Sequence, residues 1–361
     1  MNKVFKKLVV AVVIILTSTV FINCDNTARI KKDKVVTLAL EDNLDHTVKE
    51  ETTTRKPIVF ITGYDKGNET FYHNARAYFK EQQFEIVEDK YSLEEVITWL
   101  NKNEEENPYG EIHIVNKSNP YKGMTLETTI KGERVTSESL RRNITKGTLP
   151  TLKESVNANS KIIFHANGLG ENTELMNTFK DAFCADELPN IIASPYFSIF
   201  DGEFTKHYLA KPHYVFYPTA NSPGKTDLSK EIAKKYPEEK DIDWYDALNN
   251  EEERFVGEAY TSQFTIPLKF ILDYHNSDEE VPSFENQEEV MDFIEQELYL
   301  EIEKIKIPLE KFRWSYVIKN SKLSITGKTT GLIVLKPLIK PYGELQHIAP
   351  DTNNKRLYAM N

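Results

Sequence analysis

Apolar and polar positions follow a regular pattern from Pro57 onwards, where short apolar runs alternate with stretches of helical spacing. Six apolar runs predict six strands, at residues 58–62, 84–87, 111–116, 161–166, 191–193 and 214–217. Helical spacing predicts helices over 70–82 and 172–183, and a capping box of Ser92 and Glu95 predicts the start of another helix. This alternation predicts right-handed crossovers and a three-layer α/β fold, with a mostly parallel six-stranded sheet and helices on both faces.

The pattern changes beyond Pro223. Helical spacing predicts helices over 227–236 and 287–305, while apolar runs predict strands at 314–318 and 331–335, joined as a hairpin through a turn at Gly327 and Lys328. We therefore expect an α/β domain over residues 57–220 and an α+β extension over 221–361 packed on its sheet. A separate carboxyl-terminal domain is the alternative.

The amino terminus has the pattern of an export signal. Lysines within the first seven residues precede an apolar stretch over residues 8–22, which is short for a membrane span of about 20 residues. Cys24 follows at once, and this arrangement resembles the lipobox of bacterial lipoproteins, although Asn23 departs from the small residue usual there. The resemblance implies a signal peptide over 1–23 and lipidation of Cys24. An uncleaved signal anchor is the alternative.

Either interpretation predicts an exported protein of the bacterial cell envelope, whose partner is the membrane that holds its amino terminus. Residues 24–56 are mostly polar and are predicted to be a tether between the lipid and the folded part. With Cys24 lipidated, Cys184 is left as a single thiol with no disulfide partner, because the chain has two cysteines.

Composition reduces the number of possible functions further. The chain has 361 residues, 40% of them hydrophobic, so a sizeable core is expected. A net charge of -11 without a long basic run argues against nucleic acid as a partner. Phosphate-loop, calcium-loop and zinc-helix motifs are missing or incomplete in the sequence, so no cofactor and no metal are predicted.

Two predicted strands end in polar residues, and these ends carry the main functional signal. They are Ile112–Ser118 and Ile162–Gly170. The carboxyl edge of a parallel sheet is where open α/β folds hold their reactive groups. The two segments resemble the catalytic strand ends of caspase-like (clan CD) cysteine peptidases, in which the first ends in His-Gly and the second in the nucleophilic cysteine. Lys117 and Ser118 stand at the His-Gly positions, and Asn167 stands at the cysteine position.

The resemblance implies a caspase-like fold that has lost its catalytic pair, since the delocalised amide of Asn167 cannot replace a thiolate. The chain is then predicted to bind a peptide or protein ligand and to have no catalytic residue. The predicted binding residues share one sheet edge and are Lys117, Ser118, Tyr121, Asn167 and Gly168. A small hairpin over residues 121–136, with Lys122 and Arg134, is expected to overhang that edge and to make it locally basic.

Other interpretations remain open at this point. A hydrolase could use His113, His165 or Cys184 in place of the family's residues. That hypothesis requires two of these groups within hydrogen-bond reach in an open cleft. A purely structural envelope lipoprotein would have no cleft at this edge. Lys117 and Asn167 could also be ordinary loop residues of a generic α/β sheet. The ligand and the oligomeric state are not determined by the sequence.

Overall fold

The computed structural model describes residues 54–63, 70–121, 123–184, 187–200, 202–275 and 280–361. The predicted signal peptide, Cys24, nearly all of the tether and Lys122 lie outside these residues. The described chain forms a mixed α/β fold with a mostly parallel six-stranded sheet and a second, antiparallel sheet.

The first sheet contains five parallel strands: β1 (Ile58–Ile61), β2 (Glu85–Val87), β3 (Glu111–Val115), β6 (Lys161–His165) and β7 (Asn190–Ala193). Two small strands, β4 (Ser118–Asn119) and β5 (Gly123–Met124), form a separate pair after β3. The order across the first sheet is β2, β1, β3, β6, β7 and then β13 (Ala359–Met360), which pairs with β7 in the antiparallel direction. The first five predicted strands are thus confirmed.

Helices cover both faces of the first sheet. One face packs on α2 (Leu93–Lys102), α3 (Ser137–Thr145) and α4 (Thr173–Ala182), whose apolar stripes share one core with alternate residues of the strands. The other face packs on α1 (Phe71–Glu81) and on part of the second sheet. The predicted capping box is present, since the Ser92 hydroxyl accepts from the Glu95 amide and the Glu95 carboxylate accepts from the Ser92 amide.

The second sheet contains β8 (Phe197–Ile199), β9 (Tyr208–Pro218), β10 (Tyr260–Asp273), β11 (Arg313–Lys319) and β12 (Lys322–Pro337). The long strand β12 lies at the centre of this sheet. On one side it pairs with β10 along nearly all of its length. On the other side its first half pairs with β11 and its second half with β9. The helices α5 (Lys225–Lys235) and α6 (Trp244–Asn249) cover one end of one face. α7 (Gln287–Glu297) packs on the opposite face, followed by the short α8 (Tyr299–Glu303).

The predicted sixth strand of the parallel sheet is wrong. Residues 214–217 do form a strand, but they belong to β9, which pairs with β12 in register from Pro218–Thr329 to Ala210–Pro337. A local apolar run predicts a strand but carries no information on its partner, and here the partner lies more than a hundred residues downstream. The second sheet consequently takes strands from both sides of the predicted boundary between residues 220 and 221.

Smaller differences have local causes. The predicted hairpin between 314–318 and 331–335 exists as β11 and β12, but its turn is at Asn320 and Ser321, both with positive φ, as two-residue hairpin turns require. Gly327 instead lies within β12, where the Trp314 ring leaves no room for a Cβ. The predicted long helix over 287–305 is divided into α7 and α8 at Leu298. Before Pro57, Arg55 already pairs with Tyr109 in an isolated parallel bridge.

Candidate functional site

Asn116 fixes the end of β3 and is completely buried. Its Nδ2 donates to Thr62 Oγ1 at 3.0 Å and to the Thr62 carbonyl at 3.3 Å, so it ties the end of β3 to the end of β1. Its Oδ1 accepts from the amides of Thr125 at 3.0 Å and Leu126 at 3.2 Å. A buried amide that uses both of its groups in this way holds the hairpin over the carboxyl edge of the sheet.

Lys117, the next residue, is held through its backbone. Its amide donates to the Tyr72 hydroxyl at 3.0 Å, and its carbonyl accepts from the Thr125 amide at 2.9 Å and from the Thr125 hydroxyl at 3.0 Å. Tyr72 reaches this position because residue 63 is glycine, where a Cβ would come within 2.0 Å of the tyrosine Cζ. The Lys117 Nζ lies 5.7 Å from the centre of the Phe71 ring, within the range of a cation–π contact.

Asn167 occupies the corresponding place after β6. The Ser118 hydroxyl donates to its carbonyl at 2.9 Å, which joins the two strand ends directly. Gly168 follows with a φ of 69°, the left-handed conformation that favours glycine, and its amide donates to the Tyr196 carbonyl at 3.2 Å. The Asn167 Oδ1 is buried without a hydrogen-bond partner among the described residues. The predicted positions therefore lie side by side on one edge.

A cavity of about 720 Å³ opens at this edge, between the first and the second sheet. Lys117, Ser118 and Asn167 line it on the side of the first sheet. Apolar residues of the second sheet line the other side, and they are Phe197, Ile199, Phe264, Leu332, Ile333 and Leu335. No histidine or cysteine of the described residues lines this cavity.

The same cavity follows the open edge of β10. All five consecutive residues from Tyr260 to Phe264 line it. Successive side chains of a strand point to opposite faces, so a cavity that touches five in a row must extend around the strand's edge. β10 pairs only with β12 among the described strands, which leaves the main chain of this edge without a neighbouring strand there. Ser262 and Gln263 are exposed at this place.

A second cavity of about 600 Å³ lies on the other side of Lys117, between the ends of β1 and β3. From β1 the chain first adds β2 on one side of the sheet and then crosses to add β3 on the other side. Such a switch point forms a crevice in open α/β sheets. Lys131 and Arg134 of the predicted hairpin line it together with Glu95 and Glu127. The hairpin thus overhangs the edge as expected, but acidic side chains balance the basic ones within this second cavity.

Tyr121, one of the predicted binding residues, packs against the second sheet. Its ring packs edge-on against Phe216 at 5.4 Å and stacks at 6.1 Å on Phe264, which places it in the contact between the hairpin and the second sheet. Burial raises the pKa of Tyr121 to about 12. It does not belong to the lining of either cavity. Its sequence neighbours gave no sign of this, because its packing partners lie on distant strands.

His113 and His165 lie next to each other on β3 and β6, as their alternation predicted. Nδ1 of His113 and Nε2 of His165 are 2.8 Å apart, a hydrogen bond in which one imidazole donates and the other accepts. Both side chains are buried beneath α1 and outside the cavities. Burial lowers the pKa of both, well below the usual value for His165. They meet the distance requirement of the hydrolase hypothesis but not its requirement for an open cleft.

A third buried histidine, His207, completes this cluster and was missed at the sequence level. Its ring lies 5.5 Å from that of His165 and stacks on Phe200 at 4.2 Å. Neither of its ring nitrogens has a hydrogen-bond partner among the described residues. Burial, followed by repulsion from His113, lowers the pKa of His207 to about 3. No local sequence signal identifies it, because the segment before β9 gives no indication of which sheet face it covers.

Cys184 is far from this edge in the topology. β6 ends at the carboxyl edge, and α4 returns the chain toward the opposite edge, where β7 begins at Asn190. Cys184 follows α4 and so lies near the amino edge of the sheet, half-buried. The third group of the hydrolase hypothesis is thus separated from the cavities that contain Lys117.

Comparisons with known protein families, with curated proteins and with solved structures found no match to this chain. Within the described residues, no cluster of histidine, cysteine and acidic side chains has the arrangement to hold a metal ion. The same part of the chain includes no helix with the length and apolar character needed to cross a bilayer.

Proposed function

We propose that this protein is a catalytically inactive member of the caspase-like architecture that binds an extended peptide at the carboxyl edge of its sheet. We further propose that it does so outside the cytoplasm, attached to a membrane through Cys24. The observation that carries the binding proposal is the cavity of about 720 Å³, which joins the ends of β3 and β6 to the open edge of β10.

The chemistry of the two strand ends supports an inactive site. Lys117 and Asn167 are neighbours, as the histidine and cysteine of the resembled family would be, and Ser118 links them by a hydrogen bond of 2.9 Å. An asparagine amide has no nucleophilic lone pair, and a lysine ammonium only donates hydrogen bonds. Thiol hydrolysis therefore has neither its nucleophile nor its proton carrier at these positions.

The shape of the cavity supports a peptide in extended conformation. A strand with an unpaired edge presents a row of amide and carbonyl groups, and an incoming peptide can satisfy them as an added strand. The exposed positions Ser262 and Gln263 give access to the edge of β10. Apolar positions such as Phe197 and Ile333 offer contacts for alternate side chains of the peptide, and Lys117 offers a cation.

The hydrolase alternative has one observation in its favour, the hydrogen bond of 2.8 Å between His113 and His165. It is disfavoured because both imidazoles are buried outside the cavities and because Cys184 lies near the opposite edge. A purely structural lipoprotein has no need for a cavity at this edge.

The test is retention of a capped decapeptide library by the immobilised full-length protein, with bound peptides identified by mass spectrometry. Ser262→Trp fills the cavity at an exposed strand position, so we expect a loss of at least about tenfold in affinity for the retained peptides. Ser315→Trp makes the same change at an exposed position of β11 outside the cavity and should leave the affinity within about twofold.

Activity is measured on the same preparation with fluorogenic peptides and an electrophilic peptide probe. We expect no turnover and no labelling that depends on Cys184. The binding proposal is wrong if the wild type retains no peptide, or if both tryptophan variants retain peptides equally well. Labelling that Cys184→Ser abolishes, together with turnover, would instead establish the hydrolase alternative.

A further inference from the structure

The exposed face of the second sheet has a pattern of its own at the end remote from the cavities. In β10, β11 and the first half of β12, alternate residues point into the core that α7 covers, such as Phe270, Trp314 and Ile325. The intervening residues point to the other side, and α5 and α6 pack only on the far end of that side. A three-stranded sheet face is therefore left uncovered by the described residues.

Strand register shows which side chains share this face. Pro267, Lys328 and Arg313 form one cross-strand row. Lys269, Thr326 and Ser315 form the next row, and the last row contains Asp273, Lys322 and Lys319. With rows about 7 Å apart and strands about 5 Å apart, the face measures about 20 Å by about 10 Å.

The charge of this face is opposite to that of the whole chain. It carries five exposed cations, Lys269, Arg313, Lys319, Lys322 and Lys328, and one carboxylate, Asp273. Among the described residues, only Lys322 forms an ion pair with that carboxylate, at 3.0 Å. The net charge of the chain is -11, so general composition does not account for this concentration of cations. Like charges held close together on a rigid sheet repel one another, and an anionic partner relieves that repulsion.

Two large apolar side chains lie among these cations. Ile271 and Val317 belong to the one remaining row, on either side of Ser324, and they are 52% and 63% exposed. A flat surface with apolar side chains surrounded by lysine and arginine matches the interface of a bilayer, where headgroups bind the cations and the acyl boundary takes the apolar groups. The face has no aromatic side chain on which a nucleic-acid base could stack, which disfavours a single strand as its partner.

We propose that this sheet face is a docking surface for an anionic lipid membrane. The occupant is a layer of anionic headgroups, bound by the five cations, with Ile271 and Val317 entering the headgroup region. The proposal uses a different surface from the peptide cavity and does not depend on the lipid at Cys24. With the predicted lipid present, two attachments act together, and the cavity edge of the sheet is held in a fixed orientation to the bilayer.

The experiment is sedimentation of the full-length protein with vesicles of phosphatidylcholine alone and of equimolar phosphatidylcholine and phosphatidylglycerol. The amino-terminal lysines also favour anionic vesicles, so the contribution of the charged face is measured by variants that change this face and leave the amino terminus intact. We expect stronger binding to the anionic vesicles, weakened by added salt.

Lys269, Arg313 and Lys328 have no ion-pair partner among the described residues, and they can be neutralised together as Lys269→Gln, Arg313→Gln and Lys328→Gln. This variant should lose about a hundredfold of its partitioning to anionic vesicles. The matched control, Lys146→Gln, Lys234→Gln and Lys355→Gln, removes the same charge from exposed positions elsewhere and should retain the preference within about threefold.

A second variant, Ile271→Ser with Val317→Ser, should bind anionic vesicles about tenfold more weakly with an unchanged dependence on salt. Circular dichroism melting checks that each variant is folded. Equal binding of the wild type to both vesicle types overturns the proposal, and so does an unchanged preference in the first variant. Tighter binding to a single-stranded DNA oligonucleotide than to anionic vesicles overturns it in favour of nucleic acid.

Discussion

Replacing His207 by phenylalanine should reduce the sensitivity of this protein to acid. The imidazole is buried, stacks on Phe200 and has both ring nitrogens without a hydrogen-bond partner among the described residues. Phenylalanine retains the planar ring and the stacking while removing the group that titrates. It also removes two buried polar atoms whose burial costs about 1–3 kcal/mol each, which offsets the slightly larger volume of the new ring.

The magnitude follows from the two pKa values. The unfolded chain binds a proton at His207 with a pKa near 6.5, whereas in the folded protein burial lowers that pKa to about 3. Between these values the unfolded state holds the proton and the folded state does not, so stability falls as pH falls. The loss is about 1.4 kcal/mol for each pH unit, or about 2.5 kcal/mol between pH 6 and pH 4.

The assay is urea unfolding followed by tryptophan fluorescence at several pH values between 4 and 8, at constant ionic strength. Between pH 6 and pH 4 the free energy of unfolding falls in both proteins. We expect the decrease to be about 2.5 kcal/mol smaller for His207→Phe than for the wild type. His113 and His165 still titrate in the variant, so a residual slope remains. His275→Gln removes an exposed histidine and should leave the wild-type slope unchanged. Equal slopes for the wild type and His207→Phe would refute the reasoning.

Two substitutions test how the strand ends are held. Asn116→Ala should lower the free energy of unfolding by about 3 kcal/mol in urea titration, because the buried groups that hydrogen-bond to Asn116 lose their partner. The control Asn249→Ala, at an exposed position, should lower it by less than about 1 kcal/mol. Gly63→Ala should cost about 2 kcal/mol, because its Cβ displaces the Tyr72 ring that binds the Lys117 amide. In a Tyr72→Ala background the same substitution should cost almost nothing, and an undiminished cost there would contradict the proposed contact.

The comparison between sequence and structure is clearest at the strand ends. Lys117 and Asn167 could be predicted to meet because each follows a buried parallel strand, and the carboxyl ends of neighbouring parallel strands share one edge. His113 and His165 could be predicted to approach each other for the same reason, through the two-residue period of a strand. Such predictions need only local periodicity and adjacency in the sheet.

The cavity could not be predicted in the same way. Its second wall comes from β8, β10 and β12, and their pairing depends on contacts between residues far apart in the chain. Tyr121 illustrates the limit, since nothing in its own segment predicted that it packs on Phe216 and Phe264. His207 illustrates it too, because its burial depends on α1 and on β6, to which nothing in its own segment points.

The sequence by itself determined the five parallel strands, the helices between them and the polar residues at the strand ends, because hydrophobic periodicity and capping act over a few residues. The tertiary structure alone decided which sheet β9 joined, which short strand closed the first sheet, and which sheet face remained exposed and basic. These outcomes depend on strand register, and register is selected by the burial of whole faces against distant partners.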